Sequence, residues 1–354
     1  ANLLPPEEGV SPPRPRCRPP AIIFGGCVPE REPPAWIWLK ERVARLRQPT
    51  VPVPAADVPL AAVVKTAVVT DSAAALPSDW VSAFTADGRL AVVPMPVMVG
   101  NEIYGEGEDD ITQTLSLALA SGASVKTSRP SPGQFEQAYL AAQRRGFESV
   151  VSIHISSELS GTADAARLAA ARVSIPVEVV DSRTVGMAQG MGVQSAVVAA
   201  ADGQEAAEVR GFAERRMERT KVYFYVPSLE QLRRGGRIGA AASLLGTVLA
   251  IKPILAVDGG KIVPLEKVRS AVRAVARLEE IVAADVASRP HGQQRLAVHH
   301  FGNQMEAEAL AARLNEKCPD CPPPQISALP AVLAAHAGLG VLAVIVGESS
   351  TPTD

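Results

Sequence analysis

Residues 156–162 concentrate hydroxyl groups at one point of the chain and read S-S-E-L-S-G-T. Because an apolar run ends near Ile155 and a helix is predicted from Thr162, Ser160 and Gly161 lie at a helix N-terminus. Free backbone N–H groups and hydroxyls at such a position can bind an anion. An ordinary N-cap by Ser160 explains the same residues without a ligand, and the local pattern alone favours the cap.

A second hydroxyl-rich segment, K-T-S-R-P-S-P-G at residues 126–133, precedes another predicted helix. Pro130 biases Arg129 towards extended backbone, so Thr127 and Ser128 lie just outside that helix. The segment is therefore a second candidate anion site at a helix N-terminus, again with capping as the simpler interpretation.

Three arginines surround a glycine pair in the sequence R-R-G-G-R, which ends at Arg237. The spacing lacks the G-x-G-x-x-G pattern of dinucleotide sites, and an exposed turn explains it equally well. The P-loop pattern G-x-x-x-x-G-K-[ST] occurs nowhere in the sequence, which argues against ATP binding by this chain alone.

The sequence gives little support to metal or redox chemistry. Its five histidines show no H-E-x-x-H or similar spacing. Cys318 and Cys321 lack a second pair of ligands nearby, and a helix stop explains C-P-D-C better than zinc or a thioredoxin-type site. We therefore expect no metal and no redox cofactor.

Short apolar strands alternate with alanine-rich helical stretches through the body of the chain. The predicted strands are residues 63–70, 90–93, 149–155, 177–180, 222–226, 296–301 and 341–346. The predicted helices are residues 111–120, 133–145, 162–172, 189–201, 205–219 and 305–315. This alternation predicts an α/β fold with mainly parallel sheets. Asp71, at the end of the first strand, lies where such sheets bind ligands, although a helix cap explains it equally well.

The first part of the chain is rich in proline and is predicted to be a disordered leader. Apolar residues at helical spacing indicate one short amphipathic helix in it, namely Trp36, Leu39, Val43 and Leu46. This helix docks loosely on the body, lies on a membrane surface, or precedes the natural start of the protein, and docking is the simplest interpretation. The predicted divisions are a leader at 1–62, an N-terminal lobe at 63–204, a C-terminal lobe at 205–348 and a tail at 349–354.

Composition narrows the class of protein. The 354-residue chain has a net charge of −2 and no cluster of Lys and Arg, so nucleic acid is not an expected partner. No apolar run reaches the roughly 18 residues of a membrane span. Four cysteines in a chain of this length indicate free thiols and a cytoplasmic protein rather than a disulfide framework.

Eight short motifs occur in order along residues 65–347. They are V-T-D-S at 69–72, K-T-S-R-P at 126–130, S-S-E-L-S-G-T at 156–162, V-D-S at 180–182, G-G-R-I at 235–238, I-K-P-I at 251–254, K-V-R at 267–269 and A-H-A-G-L-G at 335–340. Each is weak alone, but together and in this order they resemble the DegV family, the bacterial fatty-acid-binding proteins that serve as carrier subunits of a fatty acid kinase.

The resemblance implies a two-lobed α/β protein with a fatty-acid tunnel between sheet and helices. It implies that Thr127 and Ser160, with the adjacent Ser128 and Gly161, hold the fatty-acid carboxylate. A long-chain fatty acid is then the ligand, and no cofactor is needed.

The same resemblance assigns positions beyond the carboxylate. Arg237 and His336 would lie near the head group, and Arg269 on the surface that meets the kinase. A separate ATP-binding kinase subunit would phosphorylate the bound carboxylate to an acyl phosphate for phospholipid synthesis. Transient contact with a membrane surface is a further expectation, which rests on the amphipathic helix of the leader. Arg129 stands where the family usually has Gln, and Ala73 where a hydroxyl residue is common.

Two alternatives belong to other functional classes. A serine hydrolase of lipid esters would use Ser160 as nucleophile and His336 as base, although the G-x-S-x-G pattern is missing. A substrate subunit like that of the dihydroxyacetone kinases would have a related fold. Labelling of Ser160 by a fluorophosphonate would favour the first, and ATP binding by the isolated chain would favour a self-sufficient kinase.

Overall fold

The computed structural model describes residues 64–105, 111–244, 251–290 and 292–348. The predicted leader at 1–62, with its short helix, and the predicted tail at 349–354 lie outside these residues. Within them, strands and helices alternate, so the predicted α/β class is confirmed.

The elements follow the chain in this order. The strands are β1 (Thr66–Asp71), β2 (Leu90–Val93), β3 (Val97–Val99), β4 (Glu102–Tyr104), β5 (Val125–Thr127), β6 (Ser149–His154), β7 (Val177–Asp181), β8 (Lys221–Tyr225), β9 (Lys252–Asp258), β10 (Lys261–Val268), β11 (Gln294–His300), β12 (Gln325–Ala328) and β13 (Leu342–Glu348). The helices are α1 (Ser78–Thr85), α2 (Ile111–Ser121), α3 (Pro132–Arg144), α4 (Thr162–Ala170), α5 (Met187–Ala201), α6 (Ala206–Glu218), α7 (Glu230–Arg234), α8 (Ala271–Ala287), α9 (Gln304–Lys317) and α10 (Ala331–Ala337).

The first sheet is parallel and has the order β2-β1-β6-β7. Every residue of β1 is buried, as expected for a central strand that is covered on both faces. On one face, Phe135 and Tyr139 of α3 pack with the alanines of α4. On the other face, α5 and α6 pack against the valines of β1 and β6. This sheet confirms the predicted parallel pairing.

The second sheet has six strands in the order β10-β9-β8-β13-β11-β12 and is largely antiparallel. Only the pair β11–β12 is parallel among its described pairings. The expectation of mainly parallel sheets is therefore wrong for this half of the body. For the pair β9–β10 the physical reason is the connection, because a two-residue Gly259–Gly260 turn can join only antiparallel neighbours.

Two helices, α8 and α9, cover one face of the second sheet. Its other face meets α5, α10 and a small antiparallel sheet of order β4-β3-β5. The largest buried apolar cluster lies between these layers. β5 is an edge strand of this small sheet, and its last residue, Thr127, pairs with Val97 of β3.

Helix α5 is shared by both large sheets. Most of its residues are buried and apolar residues lie around most of its circumference, as expected for a helix with neighbours on several sides, although Val198 is exposed. Met191 belongs to the cluster beneath the second sheet, whereas Val193 and Val197 belong to the cluster beneath the first. Helix α6 packs on α5 and on β6 and β7, although it follows residue 204. The lobe boundary between residues 204 and 205 stays a prediction.

Candidate functional site

The strand order of the first sheet reverses between β1 and β6, and the carboxyl ends of these two strands are neighbours. β1 is followed by β2 on one side, while β6 and β7 extend the sheet on the other. Crevices at such points are where open parallel sheets bind ligands. Asp71 ends β1, and residues 155–161 connect β6 to α4 at the same edge.

Asp71 is fully buried at this edge and holds two loops together. Its Oδ1 accepts a hydrogen bond from the backbone N–H of Ala73 at 3.1 Å, which caps the short 3₁₀ helix Ser72–Ala74. Its Oδ2 accepts from the backbone N–H of Ile155 at 3.0 Å. The capping interpretation of Asp71 is therefore correct, and the same carboxylate also anchors the segment that leads to Ser160.

A buried chain of hydrogen bonds continues from Asp71. His154 Nδ1 lies 3.0 Å from Asp71 Oδ2, His154 Nε2 lies 2.7 Å from Ser152 Oγ, and Ser152 Oγ lies 2.8 Å from the Tyr139 hydroxyl. Burial raises the pKa of the Tyr139 phenol, which keeps it a donor. The order Asp-His-Ser is that of a hydrolase triad. All three side chains are fully buried, however, and the chain ties β1, β6 and α3 together.

An apolar cavity of about 100 Å³ lies between the second sheet and α10. A single water needs only ~10–15 Å³ of such space, so the cavity has room for a larger apolar group. Most of its lining is aliphatic or aromatic and comes from β8, β9, β10, β13 and α10, including Phe224, Val257, Ile262, Val332 and Ile345. Leu159 and Ser160 of the β6–α4 loop line it at one end, together with Thr127 and Arg237.

At that end of the cavity are two hydroxyl groups, each within hydrogen-bond distance of a second polar side chain. Thr127 Oγ1 lies 2.7 Å from His336 Nε2. Ser160 Oγ lies 2.8 Å from the Oγ1 of Thr162, the first residue of α4. Thr127, Ser160 and His336 all line the cavity. Each of the two hydroxyls can therefore accept one hydrogen bond from its neighbour and donate its own proton into the cavity.

His336 is held in a tight position on α10. Burial, reinforced by the nearby charge of Arg237, lowers the pKa of His336 to about 4, so the ring is neutral at pH 7. Its Nδ1 is buried and has no hydrogen-bond partner among the described residues. The ring packs on the Cα of Gly235, where a Cβ would overlap Nδ1 and lie 2.6 Å from Cε1. Glycine at 235 therefore makes room for the imidazole.

Arg237 connects the glycine turn to the loop that carries Ser160. Its Nε donates to the carbonyl oxygen of Leu159 at 2.9 Å, and its Nη1 donates to the carbonyl oxygen of Gly235 at 2.6 Å. The guanidinium also lines the cavity. A permanent positive charge thus lies at the same end as the two hydroxyls.

The structure brings four of the predicted site residues into one cavity wall: Thr127, Ser160, Arg237 and His336. Ser128 and Gly161 are their chain neighbours but do not line the cavity; Ser128 is exposed and donates to the carbonyl of Arg129 at 3.1 Å. Arg269 is exposed between β10 and α8, away from the cavity lining.

His299 is a polar residue of the cavity wall that the sequence analysis did not select. Its Nε2 accepts from the backbone N–H of Met187 at 3.1 Å, and its Nδ1 lies 3.0 Å from Ser327 Oγ. Burial lowers the pKa of His299 to about 4. His299 and the adjacent His300 end strand β11, and a histidine pair at a strand end without a ligand-type spacing gives no sequence signal for this position.

Within the described residues, no three or more His, Cys, Asp or Glu side chains form a cluster that could hold a metal ion. Cys318 ends α9 as its C-cap, which agrees with the predicted helix stop. Both Cys318 and Cys321 are buried free thiols, and burial raises the pKa of each. Among the helices in the described part of the chain, none has the length and apolar character needed to cross a bilayer.

The second sheet and α10 enclose an apolar cavity with a polar, cationic end. This arrangement is typical of a protein that binds a ligand in its interior. The chain belongs to the DegV family, whose members are described as uncharacterised proteins, and it matches that family over residues 65–348. A DegV domain-containing protein of Streptomyces coelicolor is 43% identical over 282 residues, which are 80% of this chain and 98% of the relative.

Solved structures agree with this family and fold. A DegV family protein from Thermus thermophilus, described by its fatty acid binding, superposes with a TM-score of 0.72 at 30% identity, over 80% of this chain and 99% of that one. DegV from Bacillus subtilis, described as a fatty acid binding protein, gives a TM-score of 0.72 at 29% identity, over 81% and 100% of the two chains. The predicted family and its two-domain α/β fold are confirmed.

Proposed function

We propose that this chain binds a long-chain fatty acid in its cavity and presents the carboxylate to a separate ATP-dependent kinase subunit. The observation that carries the proposal is the cavity itself, which is apolar along its walls and ends at Thr127, Ser160 and Arg237. The fatty acid binding described for the Thermus thermophilus and Bacillus subtilis relatives supports the same ligand.

The hydroxyl pairs give the carboxylate its hydrogen bonds. Because His336 Nδ1 faces the Cα of Gly235, the neutral ring carries its proton on Nε2 and donates to Thr127 Oγ1. The Thr127 hydroxyl is then free to donate to the ligand. Thr162 can support Ser160 in the same way. Two such donors satisfy a carboxylate that would otherwise take up a proton in an apolar environment.

The acyl chain supplies most of the affinity in this proposal. Each buried CH₂ group contributes about 0.8 kcal/mol, so a chain of a dozen such groups needs only a small polar site. Arg237 lies near the bound carboxylate and compensates its charge.

The chemical step belongs to the kinase subunit. Transfer of the γ-phosphoryl group of ATP to a carboxylate oxygen yields an acyl phosphate and ADP. The chain itself acts as a non-catalytic carrier that holds the acceptor oxygen at the polar end of the cavity. In this proposal the exposed Arg269 contributes to the surface that the kinase contacts.

Denaturing mass spectrometry of the purified protein tests the ligand directly, and we expect co-purified fatty acid. In the apoprotein, Ser160→Ala and Thr127→Val should each weaken fatty acid binding by about 10- to 100-fold, which corresponds to the loss of one hydrogen bond to a charged group. Ser157→Ala is the matched control, because Ser157 is exposed in the same loop. Absence of lipid, together with no fatty acid binding by the apoprotein, would rule the carrier out.

The hydrolase alternative requires Ser160 and His336 to form a pair. In the structure Ser160 Oγ is paired with Thr162 and His336 Nε2 with Thr127. This arrangement supports a donor pair for an anion more than a nucleophile with its base.

A further inference from the structure

Two guanidinium groups are hydrogen-bonded to the residues directly before and after Ser160 in the chain. Arg237 Nε donates to the carbonyl oxygen of Leu159 at 2.9 Å, and Arg129 Nη1 donates to the carbonyl oxygen of Gly161 at 3.4 Å. The carbonyls directly before and after Ser160 are therefore both turned towards an arginine.

Arg129 lies close against the backbone of this loop. A Cβ at Gly161 would lie 2.7 Å from Arg129 Nη1 and 3.4 Å from its Cδ. The φ of Gly161 is −75°, a value that any residue can adopt. Glycine at 161 therefore serves the close approach of the Arg129 side chain rather than a special backbone conformation.

The two guanidinium charges near the Ser160 loop exceed what one carboxylate can balance. The carbonyl oxygen of Leu159 accepts from Arg237, and that of Gly161 accepts from the backbone N–H of Ala165 at 3.2 Å as well as from Arg129. Arg237 lines the cavity, whereas the exposed Arg129 lies outside its lining but against the same loop, so two permanent positive charges lie close to Ser160. The nearest acidic residue of the loop, Glu158, is exposed and forms an ion pair with Lys261 at 3.6 Å. A carboxylate neutralises one of the two guanidinium charges, whereas a phosphate-type head group near −2 neutralises both.

We propose that Arg129 makes the polar end of the cavity prefer a lipid with a doubly charged phosphate head group over the same lipid with a carboxylate. The inference rests on the proposed function, in which the acyl phosphate forms at this end of the cavity. Arg129 is then a specificity residue that retains the phosphorylated lipid. Its guanidinium has five N–H donors, and one of them serves Gly161, so the others can meet phosphate oxygens.

The test compares two probes, tetradecanoate and tetradecyl phosphate, by calorimetric titration of the delipidated full-length protein. Wild type should bind the phosphate at least as tightly as the carboxylate. Arg129→Gln should weaken binding of tetradecyl phosphate about 5-fold more than binding of tetradecanoate, the size expected of an exposed ion pair. The difference should shrink at high salt, because the side chain is exposed.

A second variant moves the same charge without removing it. Gly161→Ala displaces the flexible end of Arg129 and should change the ratio of the two affinities in the same direction. Arg172→Gln is the control, because Arg172 is exposed beyond the far end of α4 and should leave the ratio unchanged.

The outcomes separate this inference from the proposed function. If wild type binds both probes and neither Arg129→Gln nor Gly161→Ala changes the ratio, the role of Arg129 is refuted while the carrier function stands. If delipidated wild type binds neither probe, the proposed function fails, and this inference fails with it. A change in the ratio for Arg172→Gln equal to that for Arg129→Gln would attribute the effect to net charge and overturn the assignment.

Discussion

The contact between His336 and Gly235 controls the polar end of the cavity at the scale of single residues. Gly235 has a φ of −76°, so its backbone would accept any residue. Only the closeness of the imidazole requires glycine, since a Cβ there would overlap the ring. The position of His336 in turn sets its hydrogen bond to Thr127.

Gly235→Ala should therefore weaken fatty acid binding about 5-fold or more, because the displaced ring can no longer donate to Thr127. Thermal unfolding should show a smaller effect than binding does. Gly133→Ala is the matched control, since a Cβ there would have its nearest neighbour, Ser131 Oγ, at 3.9 Å. Unchanged fatty acid affinity in a folded Gly235→Ala protein would show that the His336–Thr127 hydrogen bond does not contribute to binding.

The sequence made part of this site predictable. Thr127 and Ser160 stand out because hydroxyls beside a predicted helix N-terminus are a local pattern. His336 is 209 residues from Thr127, and no local rule connects them, so it was selected only through the family resemblance. Thr162 lies within a recognised motif, yet its support of Ser160 depends on how the loop turns.

At the scale of elements, the turn between β9 and β10 fixes the position of the Ser160 loop. Gly259 and Gly260 have φ values of 56° and 87°, as in a type I′ hairpin turn. Ser156 Oγ donates to the carbonyl oxygen of Gly260 at 2.8 Å. The hairpin of the second sheet thereby holds the loop that follows β6 of the first sheet.

Gly260→Ala should lower the free energy of unfolding by about 1–3 kcal/mol. Alanine is strained at the positive φ of this position, and its Cβ would lie only 2.5 Å from Ser156 Oγ. Urea unfolding measures this loss, and fatty acid affinity should fall with it. Gly259→Asn provides the control. Asn tolerates positive φ, and the Cβ at 259 would have an ordinary contact of 3.6 Å to Arg183 Nη2. Equal losses for both variants would contradict a specific role for the Gly260–Ser156 contact.

Whether an element could be predicted from the sequence depended on how clear its apolar pattern is. The strands of the parallel sheet are short apolar runs and were found. β9, β10 and α8 were missed, although D-G-G-K between two apolar runs is a readable hairpin signal and α8 has a regular apolar face. By contrast, the sequence does not predict the position of α5 between two sheets, because a helix with apolar residues on most of its faces does not indicate which face meets which partner.

At the scale of the whole molecule, buried neutral histidines make stability depend on pH. His299 is 1% exposed, and burial lowers its pKa to about 4, whereas an unfolded chain has a histidine pKa near 6.5. Between these values the unfolded state binds more protons, so the free energy of unfolding must fall as the pH falls from about 6.5 to about 4. His336, whose pKa is also lowered to about 4, acts in the same direction.

His299→Gln should flatten this dependence. Gln can still accept from the Met187 N–H but does not titrate, so the variant should lose up to about 3 kcal/mol less than wild type over that pH range. Urea unfolding at a series of pH values measures both slopes, and the remaining slope should include the contribution of His336. Parallel curves for the two proteins would show that His299 does not titrate differently in the folded and unfolded states.

The polar end of the cavity draws its groups from β5, the β6–α4 loop, the turn at residue 235 and α10. These groups are spread over residues 127–336 of the chain, so a ligand that contacts all of them recognises the folded body. Binding to the folded state alone adds about 2.7 kcal/mol of stability at a ligand concentration of 100 times Kd. The ligand would then act as a folding cofactor for its own carrier, and the amount of intact protein that survives proteolysis in the cell would rise and fall with the supply of free fatty acid.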